Sequence, residues 1–406
     1  MRVFADLQIH SKYSRATSEK MNVNEITKWS KVKGLNLVGT GDMTHPIWLK
    51  QLKEELSQSS EGVYEYDRMK FILTGEISLI YTDKKQRRVH LLLHAPSFDV
   101  VDQMNEWLDK KGRRDYDGRP IFGFSCIEFI EAMMRISNDI EIIPAHAWTP
   151  WYSLFGSMSG FDSLKECFGD QTKHVHAIET GMSSDPAMNW RLSQLDEITL
   201  VSNSDSHSPY PWRLGREANV FDLKEEFSYK DVIDAIRTRK NFLFTIETPP
   251  EYGKYHIDGH RTCSFSSSPE ETKKHKGLCP KCEKKLVIGV LNRVEELADR
   301  PEGYRPKNAV DFKRLLPLHE LISYSLNASI ETKKAWDVYN RLIDAFGNEF
   351  FILLESEKKD MEKHIDERLV SLILKNREGR IKIIPGYDGV YGKIDTSYDL
   401  KKFFAK

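Results

Sequence analysis

Short apolar runs recur through the first 210 residues, and seven of them carry or end in a side chain able to hold a metal. Residues 3–7 lead to Asp6, Gln8 and His10, and residues 35–40 lead to Asp42 and His45. Residues 71–80 carry Glu76, and residues 89–93 are flanked by His90 and His94. Residues 140–145 deliver His146, residues 175–178 deliver Glu179, and residues 199–204 deliver Asp205 and His207. Between these strand-like runs lie segments of helical period, at 24–34, 46–56, 101–108, 127–136, 186–195 and 230–237. The first of them sets Ile26, Trp29 and Val32 on one stripe and closes at Gly34. Strands interleaved with helices predict a parallel sheet, because parallel neighbours need long crossovers. The runs around Glu76 and His90 are the exception, since only the charged turn Lys84-Lys85-Gln86-Arg87 separates them, and they predict a hairpin. Seven units predict an α/β fold, a distorted TIM-like (β/α)7 barrel over residues 1–248 with its active residues at the strands' C-terminal ends.

The alternation stops after the segment NFLFTIETPP. Residues 249–293 hold few apolar side chains and three of the five cysteines, too little to form a core. Helical period returns from residue 294, at 310–316, 320–326, 333–346 and 361–375, and a tail IIPGYDGVYGKI follows. Residues 294–406 are therefore expected to form a mainly helical domain with a glycine-rich tail loop. A chain of 406 residues, 40% of them hydrophobic, suits two or three such units. The net charge of −1 neither favours nor excludes nucleic acid, which needs only a local basic patch. No apolar run reaches 18 residues and the N-terminus has no signal-peptide layout, so a cytoplasmic protein without membrane contact is expected. Five cysteines, an odd count in a long chain, fit reduced thiols and a metal site better than a disulfide framework.

Carboxylates and histidines are hard and borderline ligands for zinc, manganese, iron or magnesium. With so many of them at strand ends, two or three metals sharing a carboxylate are a more natural arrangement than one. Adjacent metals suit phosphoester hydrolysis, where they stabilise charge on a phosphoryl oxygen and on the leaving group. A lone histidine such as His174 or His176 is more often hydrogen-bonded structure than ligand, and Glu179 suits a supporting role beside a ligand. The segments ADLQIHS, TGDMTH, TGEIS, RVHLLLH, IIPAHAW and SNSDSH resemble the ordered motifs of the polymerase-and-histidinol-phosphatase (PHP) superfamily, over about residues 1–244. That resemblance implies a distorted seven-stranded barrel holding up to three metals. It implies that His10, Glu76 and Asp205 bind a first metal and that Glu76 bridges to a second, held by His146 and one histidine of RVHLLLH. His90 and His94 share a face of that strand, so spacing does not separate them, and His90 is favoured because it opens the apolar run. A third metal would draw on His207 with Asp42 or His45. Two departures weaken the pattern: Gln8 and Met43 stand where the superfamily usually has histidine.

His260-x-x-Cys263, fifteen residues, then Cys279-Pro-Lys-Cys282 is a zinc pattern of high specificity, two ligand pairs that can close a tetrahedron. His256 is a spare ligand and Asp258 a candidate supporting group. Cys126 and Cys167 are expected to be buried hydrophobes. Zinc binding would supply the folding energy of a segment without a core. Residues 251–290 carry eight Lys/Arg (254, 261, 273, 274, 276, 281, 284, 285) and five Asp/Glu (251, 258, 270, 271, 283), a balance of 8 − 5 = +3 that suits a polyanionic substrate.

Small-molecule phosphatases of the superfamily need only the barrel, whereas the extra module and domain point to a macromolecular substrate. The whole chain, with HIDGHRTC…CPKC and GYDGVYG, resembles the endonuclease Q family. The resemblance implies a DNA repair endonuclease. It would hydrolyse the phosphodiester 5′ of deaminated bases (hypoxanthine, uracil, xanthine) and of abasic sites, leaving a 3′ hydroxyl and a 5′ phosphate. The implied cofactors are a structural Zn2+ in the finger and one to three divalent metals in the barrel (Zn2+, Mn2+, Mg2+ or Fe2+). The implied partner is damaged DNA, with no obligate protein partner and a replication clamp as a candidate one. Candidate DNA contacts are Arg213 and Arg216, placed to clamp phosphates after the Asp205/His207 motif. Tyr387, Asp388 and Tyr391 of the tail loop and Asn189 and Arg191 of the segment DPAMNWR are further candidates. Two alternatives remain: a phosphatase or phosphodiesterase acting on small phosphate esters, and a nucleic-acid-binding protein without catalysis.

Overall fold

All seven polar-tipped runs are strands in the computed structural model, which describes residues 1–395. They are Arg2–Asp6, Leu37–Gly39, Met69–Thr82, Gln86–Ala95, Glu141–Pro144, Ala177–Glu179 and Thr199–Val201. The first three pair in parallel, with Ala5 opposite Leu37 and Val38 opposite Phe71. Met69–Thr82 and Gln86–Ala95 form the expected hairpin in register from Leu73–Ala95 to Thr82–Gln86, and Gln86–Ala95 pairs antiparallel with Glu141–Pro144. Ala177–Glu179 and Thr199–Val201 make a separate parallel pair.

These ladders do not close into a barrel. The edge of Arg2–Asp6 that would complete the circle is taken by the antiparallel strand Ala218–Asp222, which continues to Phe242–Glu247 and gives one branched eleven-stranded sheet. The remaining gap is spanned beyond the strand end by isolated bonds. Asn203 Oδ1 accepts from Leu7 N at 3.0 Å, His10 N donates to Ser206 O at 2.9 Å, and Ile9 forms a single parallel bridge to Ser206. The result keeps polar strand ends from opposite sides of the sheet close together.

Helices fall near their expected places, with two corrections on the N-terminal side. Val23–Lys33 is capped by the Asn22 side chain and ends at Gly34, whose φ of 96° suits a residue without Cβ. Its buried face is Ile26, Ser30 and Lys33 rather than a Trp29 stripe, and Trp29 instead meets Tyr210 and Trp336. The helix expected over 186–195 is the single turn Pro186–Asn189 followed by a 3-10 turn, Ser193–Leu195.

The C-terminal region differs more. Residues 310–316 do not form a helix: Asp311–Arg314 is a strand parallel to Phe242–Glu247, because an open sheet edge supplies partners for its backbone. The segment 361–375 is broken into Lys358–Met361 and Glu367–Arg377, the second helix starting at Asp366, whose carboxylate accepts from Leu369 N at 2.9 Å. The helices from Leu318–Leu326 to Glu367–Arg377 pack on their own core, including Leu321, Tyr339, Ile352 and Ile373. A buried ion pair ties this helical region to the sheet side: Lys33 Nζ donates to Glu349 Oε1 and to Pro211 O, both at 2.7 Å. Among the described residues no helix is long and apolar enough to cross a membrane. The last eleven positions of the expected 294–406 domain lie outside the described residues.

Candidate metal centre and zinc finger

Strand ends position the ligands, and three of them turn through an unusual backbone. Asp42, His146 and Asp205 have φ of 46°, 29° and 47°, a left-handed conformation that costs a side-chain-bearing residue energy and is typically retained where it aims a functional group. Two groups of ligand atoms result, each within 4.8 Å of its own members: His10, Asp205 and His207, and Glu76, His90 and His146. Glu76 lies between them. Its Oε2 is 3.0 Å from His10 Nε2, while its Oε1 is 2.6 Å from His90 Nδ1 and 3.6 Å from His146 Nε2.

The close approaches are not hydrogen bonds. Gln8 Oε1, His10 Nε2, Glu76 Oε1 and Asp205 Oδ1 are buried without a hydrogen-bond partner among the described residues, although His10 Nε2 and Asp205 Oδ1 stand only 3.2 Å apart. Buried polar atoms that converge without bonding one another are what a shared cation would satisfy, so the donor set fits divalent metals.

The surroundings prepare these atoms. Asp42 accepts from His10 Nδ1 at 2.9 Å, from Ser11 N and Ser11 Oγ at 2.6 Å each, and from Ser14 Oγ at 2.9 Å. Nδ1 of His10 is thereby fixed as the donor to Asp42, and Nε2 is aimed at Glu76 and Asp205. Asp42 lies outside both ligand groups, with its oxygens engaged by His10 and the two serines. Burial opposes charge on His10, yet Asp42, Asp205 and Glu76 together raise its pKa well above the ordinary value. Burial likewise opposes charge on Glu76, but Arg119 and His90 hold its carboxyl well below the usual range. Burial and the nearby carboxylates push Glu179 well above its usual value.

Other expected ligands are engaged elsewhere. His94 lies opposite Thr74 and Glu141, four residues along the strand from His90, outside both ligand groups and with neither ring nitrogen hydrogen-bonded among the described residues. His45 caps the helix Pro46–Glu55 and stacks on Tyr13 at 4.6 Å. Glu179 accepts from His146 N at 2.6 Å and Asn203 Nδ2 at 2.9 Å, a supporting position. Gln8 donates Nε2 to Glu76 Oε2 at 3.0 Å, so it steadies the central carboxylate. His207 joins His10 and Asp205 rather than Asp42 or His45, and its Nδ1 is tied to Asp205 O at 2.9 Å.

The finger is built locally. The ligand atoms of His260, Cys263, Cys279 and Cys282 lie within 4.8 Å of one another, around the small sheet of Asp258–His260 and Phe265–Ser267. Glu283 N donates to Cys279 O at 2.8 Å in the turn that returns the second pair. Burial works against the Cys279 thiolate, but N–H groups of Lys281 and Cys282 bring its pKa down to about 7. One histidine and three thiols at this spacing fit zinc. His256 is outside the four, with Nδ1 on Ser183 O at 3.4 Å, and Asp258 supports no ligand: it accepts from Gly289 N and Asn292 Nδ2. Cys126 and Cys167 are buried as expected.

Several expected DNA contacts are spent inside the protein. Asn189 is fully buried, bonded to Trp148, Ser184 and Asp185. Arg216 is buried and donates Nε and Nη2 to Ser204 O at 3.0 and 2.8 Å, bracing the Asp205 loop. Asp388 accepts from Arg261 N at 2.6 Å and Tyr387 packs against Gly259, so both dock the tail on the finger. Tyr391 stays partly exposed, with Arg213 5.5 Å and Lys254 6.0 Å from its ring. Arg191 uses its carbonyl to accept from Asp299 and Arg300, while its Nε has no partner among the described residues.

Ser11, Ser14, Asn203 and Arg119 were not singled out from the sequence. Ser11 and Asn203 lie inside the motifs ADLQIHS and SNSDSH, which is the signal that would have found them; Ser14 and Arg119 lie outside every motif noted.

A mixed α/β sheet bearing two facing groups of candidate metal ligands, with a separate His–Cys cluster and a helical C-terminal region, defines the class of protein. Solved structures of the same architecture place it further. The lesion-specific endonuclease PfuEndoQ from Pyrococcus furiosus is 33% identical with a TM-score of 0.87, over 99% of both chains. Endonuclease Q solved in complex with a 27-mer duplex substrate with an abasic lesion at the active site is 34% identical with a TM-score of 0.88, over 98% of both chains. The chain belongs to the endonuclease Q family.

Two uncharacterized relatives are also similar. One, MJ0043 of Methanocaldococcus jannaschii, is 33% identical over 288 residues, 70% of this chain but only 35% of that relative's length. The other, YqxK of Bacillus subtilis, is 25% identical over 97% of this chain and 99% of its own. Residues 317–380 match the family model of the MJ0043 C-terminal domain.

Proposed function

We propose that the protein is a lesion-specific DNA endonuclease that hydrolyses the phosphodiester 5′ of deaminated bases and abasic sites. The observation that carries this reading is Glu76, whose Oε2 stands 3.0 Å from His10 Nε2 and whose Oε1 stands 2.6 Å from His90 Nδ1, while His10 Nε2, Asp205 Oδ1 and Glu76 Oε1 are buried without a hydrogen-bond partner among the described residues. Family membership supports DNA as the substrate, since a member was solved on an abasic-lesion duplex.

His10, Asp205 and His207 would hold one metal, His90 and His146 a second, with Glu76 shared. When bound, the metals supply Lewis-acid stabilisation of phosphoryl charge and a water of lowered pKa. The chain's own groups do the positioning. Asp42, with Ser11 and Ser14, fixes the tautomer of His10, and Asp205 O fixes that of His207. Glu179 and Asn203 hold the backbone of His146 in its strained turn. Overall, a water oxygen joins phosphorus as the P–O3′ bond breaks with its electron pair on O3′. One water proton ends on O3′ and the other leaves to solvent. The finger, with His260, Cys263, Cys279 and Cys282 on a structural zinc, supplies a rigid platform on which the tail loop docks.

The test is a set of duplexes carrying one abasic site, uracil, hypoxanthine or no lesion, with Mg2+, Mn2+ or Zn2+ and an EDTA control. Metal-dependent nicking of lesion duplexes alone is expected. Equal nicking of the undamaged duplex, binding without nicking, or hydrolysis of only a small phosphate ester would each overturn the reading.

A further inference from the structure

The loop at residues 110–120 reads in sequence as a solvated charge run, yet its end is fastened into the metal-ligand cluster. The buried Asp117 carboxylate accepts from Arg15 N at 3.3 Å and Arg119 N at 3.1 Å. Gly118 N donates to Tyr13 O at 3.0 Å, and Gly118 packs so close to Asp42 and Ser14 that a Cβ there would collide with both. Pro120 O accepts from Ser78 N at 3.0 Å, on the strand that carries Glu76. The main chain of Arg119 is therefore held on both sides.

The side chain it presents is not used up. The Arg119 side chain is 25% exposed and its Nη1 stands 3.5 Å from Glu76 Oε1, which nonetheless has no hydrogen-bond partner among the described residues. A guanidinium meant only to neutralise a carboxylate would form the bidentate fork its geometry favours. Among the described residues this one forms no hydrogen bond through its guanidinium. Of the two nearby arginines, Arg216 is buried with Nε and Nη2 on Ser204 O, and Arg15 is exposed and paired with Asp117 at 3.4 Å.

We infer that Arg119 is a catalytic residue that donates N–H groups to a non-bridging oxygen of the scissile phosphate, stabilising the charge that grows there as the P–O3′ bond breaks. This rests on the phosphodiesterase reading above. Fixed donors aimed at developing charge in a site shielded from water are among the largest single contributions to catalysis.

The experiment uses the full-length, metal-loaded protein and an abasic duplex under single-turnover conditions, comparing wild type with Arg119→Met and Arg119→Lys. Arg119→Met is expected to lower the rate by about 10²–10³-fold with metal content, duplex affinity and melting temperature retained. Arg119→Lys should recover part of the loss. One phosphorothioate diastereomer at the scissile linkage should slow wild type and cost Arg119→Met nothing further. A rate for Arg119→Met within about threefold of wild type overturns the proposal. So does a loss that tracks metal departing from the sheet centre, which would make Arg119 a positioning residue acting through Glu76. If Arg119→Met does not fold, Arg119→Lys decides: a folded, metal-replete variant as fast as wild type overturns the proposal. A wild type that nicks no lesion duplex sinks the endonuclease reading and this role together.

Discussion

The protein gathers ligand clusters in two ways, and the contrast explains what each can do. The finger draws His260, Cys263, Cys279 and Cys282 from 23 consecutive residues (260–282), and its atoms close on one point. The sheet centre draws on strand ends nearly 200 residues apart, from His10 to Asp205, and its atoms fall into two groups that share Glu76. A local, soft, closed set suits a structural metal, and a dispersed, hard, open set suits one that meets a substrate. The supports differ accordingly. The finger leans on its own backbone turns, while the sheet centre has a shell of supporting side chains, Asp42, Ser11, Ser14, Gln8 and Glu179.

The sharpest way to break this contrast is to remove one finger ligand. Cys282→Ser should cost most of the structural zinc's contribution, on the order of 10 kcal/mol, releasing finger zinc and unprotecting residues 256–290 and 386–391 in hydrogen exchange. The metals of the sheet centre should stay. If they leave as well, the two sites are one folding unit. Next is Glu76→Ala, expected to slow nicking by about 10³-fold or more and to lower metal content at the sheet centre in elemental analysis with finger zinc intact. Retained activity and metal would end the bridging model.

Asp42→Asn tests the supporting shell. It should weaken metal binding at the sheet centre about 10–100-fold, read by titration against a chelator, because the amide no longer holds His10 Nδ1 as firmly as a donor.

His94 provides the smallest effect and separates it from His90. His94→Leu should keep the metals of the sheet centre, whereas His90→Leu should lose one. Burial holds the folded His94 down at about pKa 4, against an ordinary value of 6.5. The unfolded chain therefore binds the extra proton first, and stability should fall as pH drops from 6.5 toward 4. The slope is at most about 1.4 kcal/mol per pH unit. Denaturation of His94→Leu across that range should show a correspondingly flatter profile, and an unchanged profile would refute the assignment.

Much of the fold was legible because strands advertise themselves locally. All seven apolar runs became strands, and the hairpin register followed from its short turn. The failures came where a distant partner overrode local pattern. Asp311–Arg314 joined a sheet edge left open some 65 residues earlier, and Ala218–Asp222 took the edge that would have closed the barrel. Within the site, motif positions identified His10, Glu76, His90, His146 and Asp205 as neighbours, but they did not tell ligand from support. Asp42, His45 and Asn189 look the same in sequence as groups that face a substrate. Their carboxylate, ring and amide are used internally by serines, a helix N-terminus and a tryptophan.

Residue type and spacing by themselves determined which atoms can bind metal and that a four-ligand finger lies within one short segment, because ligand chemistry and short loops are local properties. Only the tertiary structure decided which of those atoms remain without partners, that Glu76 stands between two groups, and that Arg119 reaches them from a charged loop. Whether a buried polar group is satisfied depends on every chain segment packed around it, and no stretch of sequence contains that information alone.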